Sequence, residues 1–266
     1  MKLYFFRGIK FVFLFLFISQ SQAVYPFDEV KSIDVRALSL GQMQALSQLM
    51  NPAFLSFSEQ KQLGVSVFNR FEMKELSTQS VFGLIPNRLL DMNFHLLVFG
   101  YSDYQLIEGQ AGFARKLSSK FSIGTSVSYL IENSVLEEST RKYLHADISF
   151  FWQINETFGW ALTTENLIHT GNSQPVSCFS GLKWQLNPVT CFLLESGYDS
   201  QKRFSVCAGV EYEIVKNLMV RGGFRNNPQT PSLGFAYKLE HWNIETAFLF
   251  HQALGLSSGI SVSYIF

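Results

Sequence analysis

Three short polar side chains stand at alternate positions of one stretch: His145, Asp147 and Ser149. Ser, His and Asp are the parts of a nucleophilic site when their side chains meet. On a single strand they do not, because successive same-face residues lie ~7 Å apart. No Gly-rich phosphate loop, metal-spaced His cluster or pair of catalytic carboxylates accompanies them. The sequence therefore points to no enzyme, no metal and no cofactor. A wider set of ionisable residues falls on the same kind of alternate position: Glu132, His145, Asp147, Glu165, Lys183, Glu195, Glu211, Glu213, Arg221, Arg225, Lys238 and Glu245. Such a set either selects a solute or braces an interior with paired charges and water. Three cysteines, Cys178, Cys191 and Cys207, cannot all pair, and their spacing matches no metal motif. Hairpin registers place no two of them directly opposite, so they read as free thiols rather than as a disulfide.

What positions these groups is a succession of strands. Phe121, Ile123, Val127, Tyr129 and Ile131 alternate with Ser122, Gly124, Ser126, Ser128 and Glu132. Leu144, Ala146, Ile148, Phe150 and Trp152 alternate with His145, Asp147 and Ser149. Phe204, Val206, Ala208, Val210 and Tyr212 alternate with Ser205, Cys207, Gly209, Glu211 and Glu213. Ile260, Val262, Tyr264 and Phe266 alternate with Gly259, Ser261 and Ser263. One face is apolar or aromatic and the other small, polar or charged, which is the period-two signature of a transmembrane barrel strand. The alternation predicts 14 strands over 63–71, 75–84, 90–101, 104–116, 120–132, 141–153, 157–167, 176–187, 189–199, 202–215, 217–226, 230–239, 241–250 and 256–266. A count of 12 is the alternative.

Composition agrees. Charged residues are 16% and aromatics 15%, with 27 Phe, as expected of a surface facing lipid. No stretch after the first 23 residues holds 18 apolar residues in a row, so helical spanning is excluded. The remaining structure that satisfies its backbone inside lipid is a closed barrel. Residues 1–23 read as a signal peptide, with Lys2, Arg7 and Lys10 before the apolar run Phe11 to Ile18 and Ser21-Gln22-Ala23 at the cleavage point. Without them the chain carries 18 Lys and Arg against 21 Asp and Glu, no footprint for nucleic acid. The expected division is a signal peptide over 1–23, an N-terminal plug over 24–62 and the barrel over 63–266. The turns on both sides of the predicted strands are short, which places the chain's business in the lumen, at the lipid face or on the periplasmic side.

Residues 24–62 do not alternate. Gly41 to Met50 reads as a short helix ended by Pro52, followed by a turn at Asn51-Pro52-Ala53 and entry to the first strand. Such a segment is either a movable hatch or a fixed plug. Arg36 and Lys31 are placed to meet lumen carboxylates, including Glu211 and Glu213.

The stretch Val35-Arg36-Ala37-Leu38-Ser39-Leu40-Gly41, followed by Asn51-Pro52-Ala53, resembles the start of the FadL/PorV-like outer-membrane family. There an R-A-x-x-x-G segment leads to N-P-A just before the first strand. Pro231-Ser232-Leu233-Gly234-Phe235, then His251-x-x-Leu254-Gly255-Leu256-Ser257, Ile260-Ser261 and the closing Tyr264-x-Phe266 are similar to the last three strands of PorV/PorQ-type proteins of Bacteroidetes. The resemblance implies an all-β, antiparallel up-and-down barrel of 14 strands in the Gram-negative outer membrane. It also implies an N-terminal segment folded into the lumen. The closing Tyr264 and Phe266 match the pattern that the barrel-insertion machinery recognises in outer-membrane proteins. The chain departs from the family in being shorter, with smaller outer loops.

Two functions follow. A PorV/PorQ-like barrel would be an accessory subunit of a larger outer-membrane secretion or assembly machine, as in type IX secretion. A FadL-like barrel would pass a hydrophobic small molecule. Paired charges filling the lumen favour the first, and an apolar lumen pocket beside Asn51-Pro52-Ala53 favours the second.

Overall fold

The computed structural model describes residues 34–135, 139–170, 175–201 and 203–266. The expected signal peptide and Lys31 lie outside these residues. The chain runs through a short helix α1 (Val35–Ser39), a second helix α2 (Pro52–Leu55) and then strands. These are β1 (Gln62–Asn69), β2 (Ser77–Ile85), β3 (Asp91–Tyr101), β4 (Tyr104–Lys116), β5 (Phe121–Ser134), β6 (Ser139–Gln153), β7 (Phe158–Glu165) and β8 (Ile168–His169). They continue as β9 (Ser177–Asn187), β10 (Thr190–Asp199), β11 (Phe204–Val215), β12 (Leu218–Asn226), β13 (Gln229–Leu239), β14 (Trp242–His251) and β15 (Gly255–Ile265). Each strand pairs antiparallel with the next, except that β7 pairs with β9, and β1 pairs with β15. The ring closes on 14 strands, and the two-residue β8 stands outside it as a bridge on β6. Closure leaves no edge strand in the ring among the described residues, as a wall in lipid requires.

The period-two pattern sets which way each side chain points. On β5 and β6, Ile123, Val127, Tyr129, Leu144, Ile148 and Trp152 face outward, while Ser122, Ser126, Ser128, His145 and Ser149 are buried inside. Register joins like to like across the pair: Ser128 lies opposite His145 and Ser126 opposite Asp147. Aromatic side chains gather near the end of the barrel where β1 starts. Trp184 stacks with Phe158 at 5.7 Å, and Trp242, Tyr264 and Phe266 form successive edge contacts. Such girdles mark the interfaces of membrane barrels.

One seam is irregular. β6 pairs with β7 over Ser149–Gln153 and then with β8 at His145 and Ala146. Between them Asn166 takes a φ of 58°, a left-handed conformation that Asn tolerates better than most residues. The sequence expectation of one strand over 157–167 therefore breaks at Asn166. The Thr164 hydroxyl restores the ladder, accepting from Ile148 N at 3.0 Å and donating to Ile148 O at 3.2 Å.

Inside the ring lies the segment 34–57. α1 packs on β12 to β15 and α2 on β3 to β6, so the segment crosses the lumen from wall to wall. The expected helix over 41–50 is absent: those residues form turns, and the two helices flank them. Pro52 starts a helix instead of ending one. It occupies the first helical turn, where its missing N–H costs nothing, and Asn51 caps the turn by accepting from Phe54 N at 3.0 Å. Gly41 follows α1 at a φ of 85°, a conformation suited to glycine.

Candidate functional site in the lumen

The inner segment is tied to one side of the lumen by charge. Arg36 on α1 donates twice to Glu211 of β11, at 2.9 and 2.6 Å, and once to Leu46 O at 3.0 Å. Glu211 also accepts from Arg221 of β12 at 2.9 Å, and Arg221 reaches Glu245 of β14 at 2.8 Å. Glu195 of β10 is fully buried and accepts from the backbone N–H groups of Gln44 and Ala45, at 2.9 and 2.8 Å. Arg225 donates to Gln42 Oε1 at 3.3 Å and Lys238 to Gln60 Oε1 at 3.5 Å. Asp34 caps α1 through Ala37 N and accepts from the Ser47 hydroxyl at 2.6 Å. Burial pushes the Asp34 carboxyl above its ordinary range, while the Ser47 hydrogen bond and Arg36 pull it back. Most of these charges are therefore fasteners: Glu195, Glu211 and Arg225 end on the inner segment and Arg221 on Glu211, whereas Asp199 pairs with Arg203.

The opposite side carries an apolar cluster among buried polar residues such as Asn93, His95, Glu108 and Ser126. Phe82 and Leu84 of β2, Leu97 and Phe99 of β3, Leu106 of β4 and Leu130 of β5 face inward and pack with Leu49 and Leu55 of the inner segment. A further cluster joins Leu46, Ala53 and Phe54 to Phe151, Ala161, Leu193 and both buried cysteines. Asn51-Pro52-Ala53 thus sits between two apolar groups.

Contact between segment and wall depends on missing side chains. A Cβ at Gly223 would collide with Gly41 N and with the carbonyl carbon of Leu40. One at Gly234 would meet Ser39, at Gly209 Leu40, at Gly181 Leu46, and at Gly124 Pro52 and Ala53. Glycine here serves close backbone approach. A cavity of about 210 Å³ lies on the side of the segment where β1 begins, and one of about 20 Å³ lies on the other, beside Leu38, Phe68 and Arg70.

The remaining sequence-predicted residues are scattered through the same interior. Glu132 accepts from Tyr104 at 3.1 Å and Tyr143 at 3.4 Å, at the far end. Ser149 accepts from Ala53 N and Asp147 from Leu167 N, both at 3.4 Å, while the His145 ring stacks on Tyr143. Lys183 lies over the Phe54 ring at 5.9 Å. Glu165 stands opposite Ser177 near the seam. Glu213 is not in the Arg36 cluster: it accepts from Asn217 N at a tight turn. Cys191 and Cys207 face inward beside Glu211 and Glu195, Cys178 is exposed, and all three are free. Tyr264 and Phe266 lie at the barrel seam, where Phe266 N donates to Lys61 O at 3.1 Å.

Sequence reasoning missed three groups. The wall glycines read as ordinary small residues. The inward Leu97, Phe99, Leu106 and Leu130 read as noise in the alternation. His95 and Glu108, buried 3.8 Å apart, stand in strands whose two faces are both partly apolar.

No family model and no curated protein matches this sequence. Solved structures do match. The toluene transporter TodX of Pseudomonas putida aligns over 86% of this chain and 95% of its own, with TM-score 0.61 at 12% identity. The monoaromatic hydrocarbon channel CymD aligns over 89% and 97%, with TM-score 0.65 at 11% identity. A FadL homologue of Pseudomonas aeruginosa aligns over 89% and 98%, with TM-score 0.64 at 9% identity. The fold is that of the FadL-type hydrocarbon channels. These structural neighbours are channels and transporters rather than enzymes.

Proposed function

We propose that this chain is an outer-membrane channel for small hydrophobic molecules, stopped by its own N-terminal segment. The observation that carries it is the apolar cluster on the inner wall of β2–β5, which stands among polar residues such as Asn93, His95 and Glu108. Phe82, Leu84, Leu97, Phe99, Leu106 and Leu130 turn inward together, where a water-filled pore would need polar groups. An apolar solute gains free energy along such a surface in proportion to the area it removes from water. The ion pairs that hold α1 stand on β11, β12 and β14, and of that wall only Phe82 and Leu84 share a cavity with them. Two of the structural neighbours are a toluene transporter and a monoaromatic hydrocarbon channel, which fits a ligand of this class. The short outer loops leave selection to the lumen.

The test is entry of a hydrophobic fluorescent probe, 1-N-phenylnaphthylamine, into a Gram-negative host whose outer leaflet excludes it. Expression should speed entry, and Leu97→Glu with Leu106→Glu should abolish the gain at equal levels of folded barrel. Equal entry with the wild type, the double variant and no barrel would sink the channel reading. The accessory-subunit reading rests on the short tail motifs. The charge pairing fits it, and it would be supported by a stable large complex in native membranes.

A further inference from the structure

On the side of the inner segment where β1 begins and β15 ends, the lumen holds the cavity of about 210 Å³. Its lining is of two kinds. Val35, Leu49, Phe82, Leu84, Met219 and Ala236 supply apolar surface. The rest is polar and electrically balanced: the three carboxylates and three cations of the Arg36 cluster, Asp34 and Lys238 included, cancel one another. Asn243 completes the lining from the first turn-proximal residues of β14, opposite Lys238 and Ser263. It is 6% exposed, and its side-chain oxygen has no hydrogen-bond partner among the described residues. A buried acceptor without a donor is destabilising, so a molecule that brings a donor gains at that point.

We propose that this cavity is a binding chamber for a small neutral molecule carrying one apolar ring and one hydroxyl. The hydroxyl donates to Asn243 Oδ1, and the ring lies on Phe82, Leu84 and Met219. Three features select this class. An apolar cavity of ~150 Å³ accommodates benzene, so the volume here suits a ring with one polar substituent. The balanced lining disfavours an ion, which would arrive without a counter-charge. The acceptor at Asn243 rejects a carboxylate, which would set acceptor against acceptor, and gains nothing from a bare hydrocarbon. The proposal rests on the channel reading in placing this chamber at the inner exit of the path, but binding there requires no transport.

The test uses the full-length barrel in detergent and fluorine NMR of 4-fluorophenol, fluorobenzene and 4-fluorobenzoate at neutral pH. 4-Fluorophenol should bind saturably and at least ~10-fold more tightly than fluorobenzene, the order expected when a site's buried polar group goes unpaired in the analogue. 4-Fluorobenzoate should not bind. Asn243→Leu should erase the preference between the first two, and Ala236→Phe, which fills the chamber, should erase both. Heat-modifiable migration on gels confirms that each variant is a folded barrel, and each ligand in detergent without protein controls for partition into micelles. Equal binding of the phenol and the hydrocarbon, or an undiminished preference in folded Asn243→Leu, overturns the proposal. If that happens while the hydrophobic probe still enters cells, the chamber fails and the channel stands. If the preference holds and the probe does not enter, the channel fails and the chamber stands.

Discussion

Replacing Arg36 with Met should open the barrel without unfolding it. Arg36 makes two charge-assisted hydrogen bonds to Glu211, at 2.9 and 2.6 Å. Its removal leaves Glu211 with Arg221 alone. Breaking a buried ion pair costs about 3–5 kcal/mol when the surviving charge is stranded. Glu211 keeps one partner, so the lower end applies, about 3 kcal/mol. At about 1.4 kcal/mol per factor of ten, the ratio of docked to undocked segment falls by roughly 150-fold. Planar-bilayer recording should show open time rising by about that factor, and a protease should cut within 34–57 sooner. Replacing both partners, Arg36→Met with Glu211→Met, should recover most of the closure, because no charge is then buried alone and Arg221 keeps Glu245. An unchanged open time in the single variant, or a double variant more open than the single, would refute the assignment of Arg36 as a fastener.

Three other outcomes follow from the same geometry. Ile148→Arg sets a charge on the outward face and should destabilise the barrel by about 2–4 kcal/mol at mid-membrane depth, read as a smaller heat-modifiable folded fraction. Ser126→Arg should fold but lose protease protection of residues 34–57, because Ser126 is buried between Gly112 and Asp147 in the wall that receives Pro52. Gly223→Ala should cost about 1–3 kcal/mol of segment docking by overpacking against backbone that cannot rotate away. Gly222→Ala, whose added Cβ would find nothing nearer than Val210 at 3.8 Å, should leave docking unchanged in the same assay. Because burial raises the Asp34 carboxyl above its unfolded value, the docked segment binds the proton more tightly. Docking is then strongest in acid and weakens as pH rises through that raised value. Asp34→Asn should flatten the dependence in conductance against pH.

The barrel was legible because its walls obey period two. Each expected strand lies within two or three residues of an observed one, and the even count follows from the turns. What failed to show were features whose meaning lies across the lumen. Gly223 and Gly234 look like any small inward residue until Leu40 and Ser39 arrive opposite them. Pro52 can end a helix or begin one, and local sequence does not separate the two, since the deciding bond comes from Asn51 to Phe54. The inward Leu97 and Phe99 blur the alternation of β3, so the apolar wall was invisible where it mattered most. Glu195 was placed on the inner face, but its partners are two backbone amides of Gln44 and Ala45, which no side-chain pattern announces.

The six residues from Ser56 to Lys61 join α2 to the first strand. Fully extended, they reach about 20 Å. α2 is therefore on a leash fixed to the barrel rim, whereas α1 has the added length of residues 40–51 behind it. A stopper held this way cannot be lost, and its two ends are unequally free. Of the two ends, the α1 end, beside β12–β15, has the longer reach on undocking, while α2 stays within reach of its seat. Reclosure is then a return over a short distance at high local concentration, independent of how much protein the membrane holds.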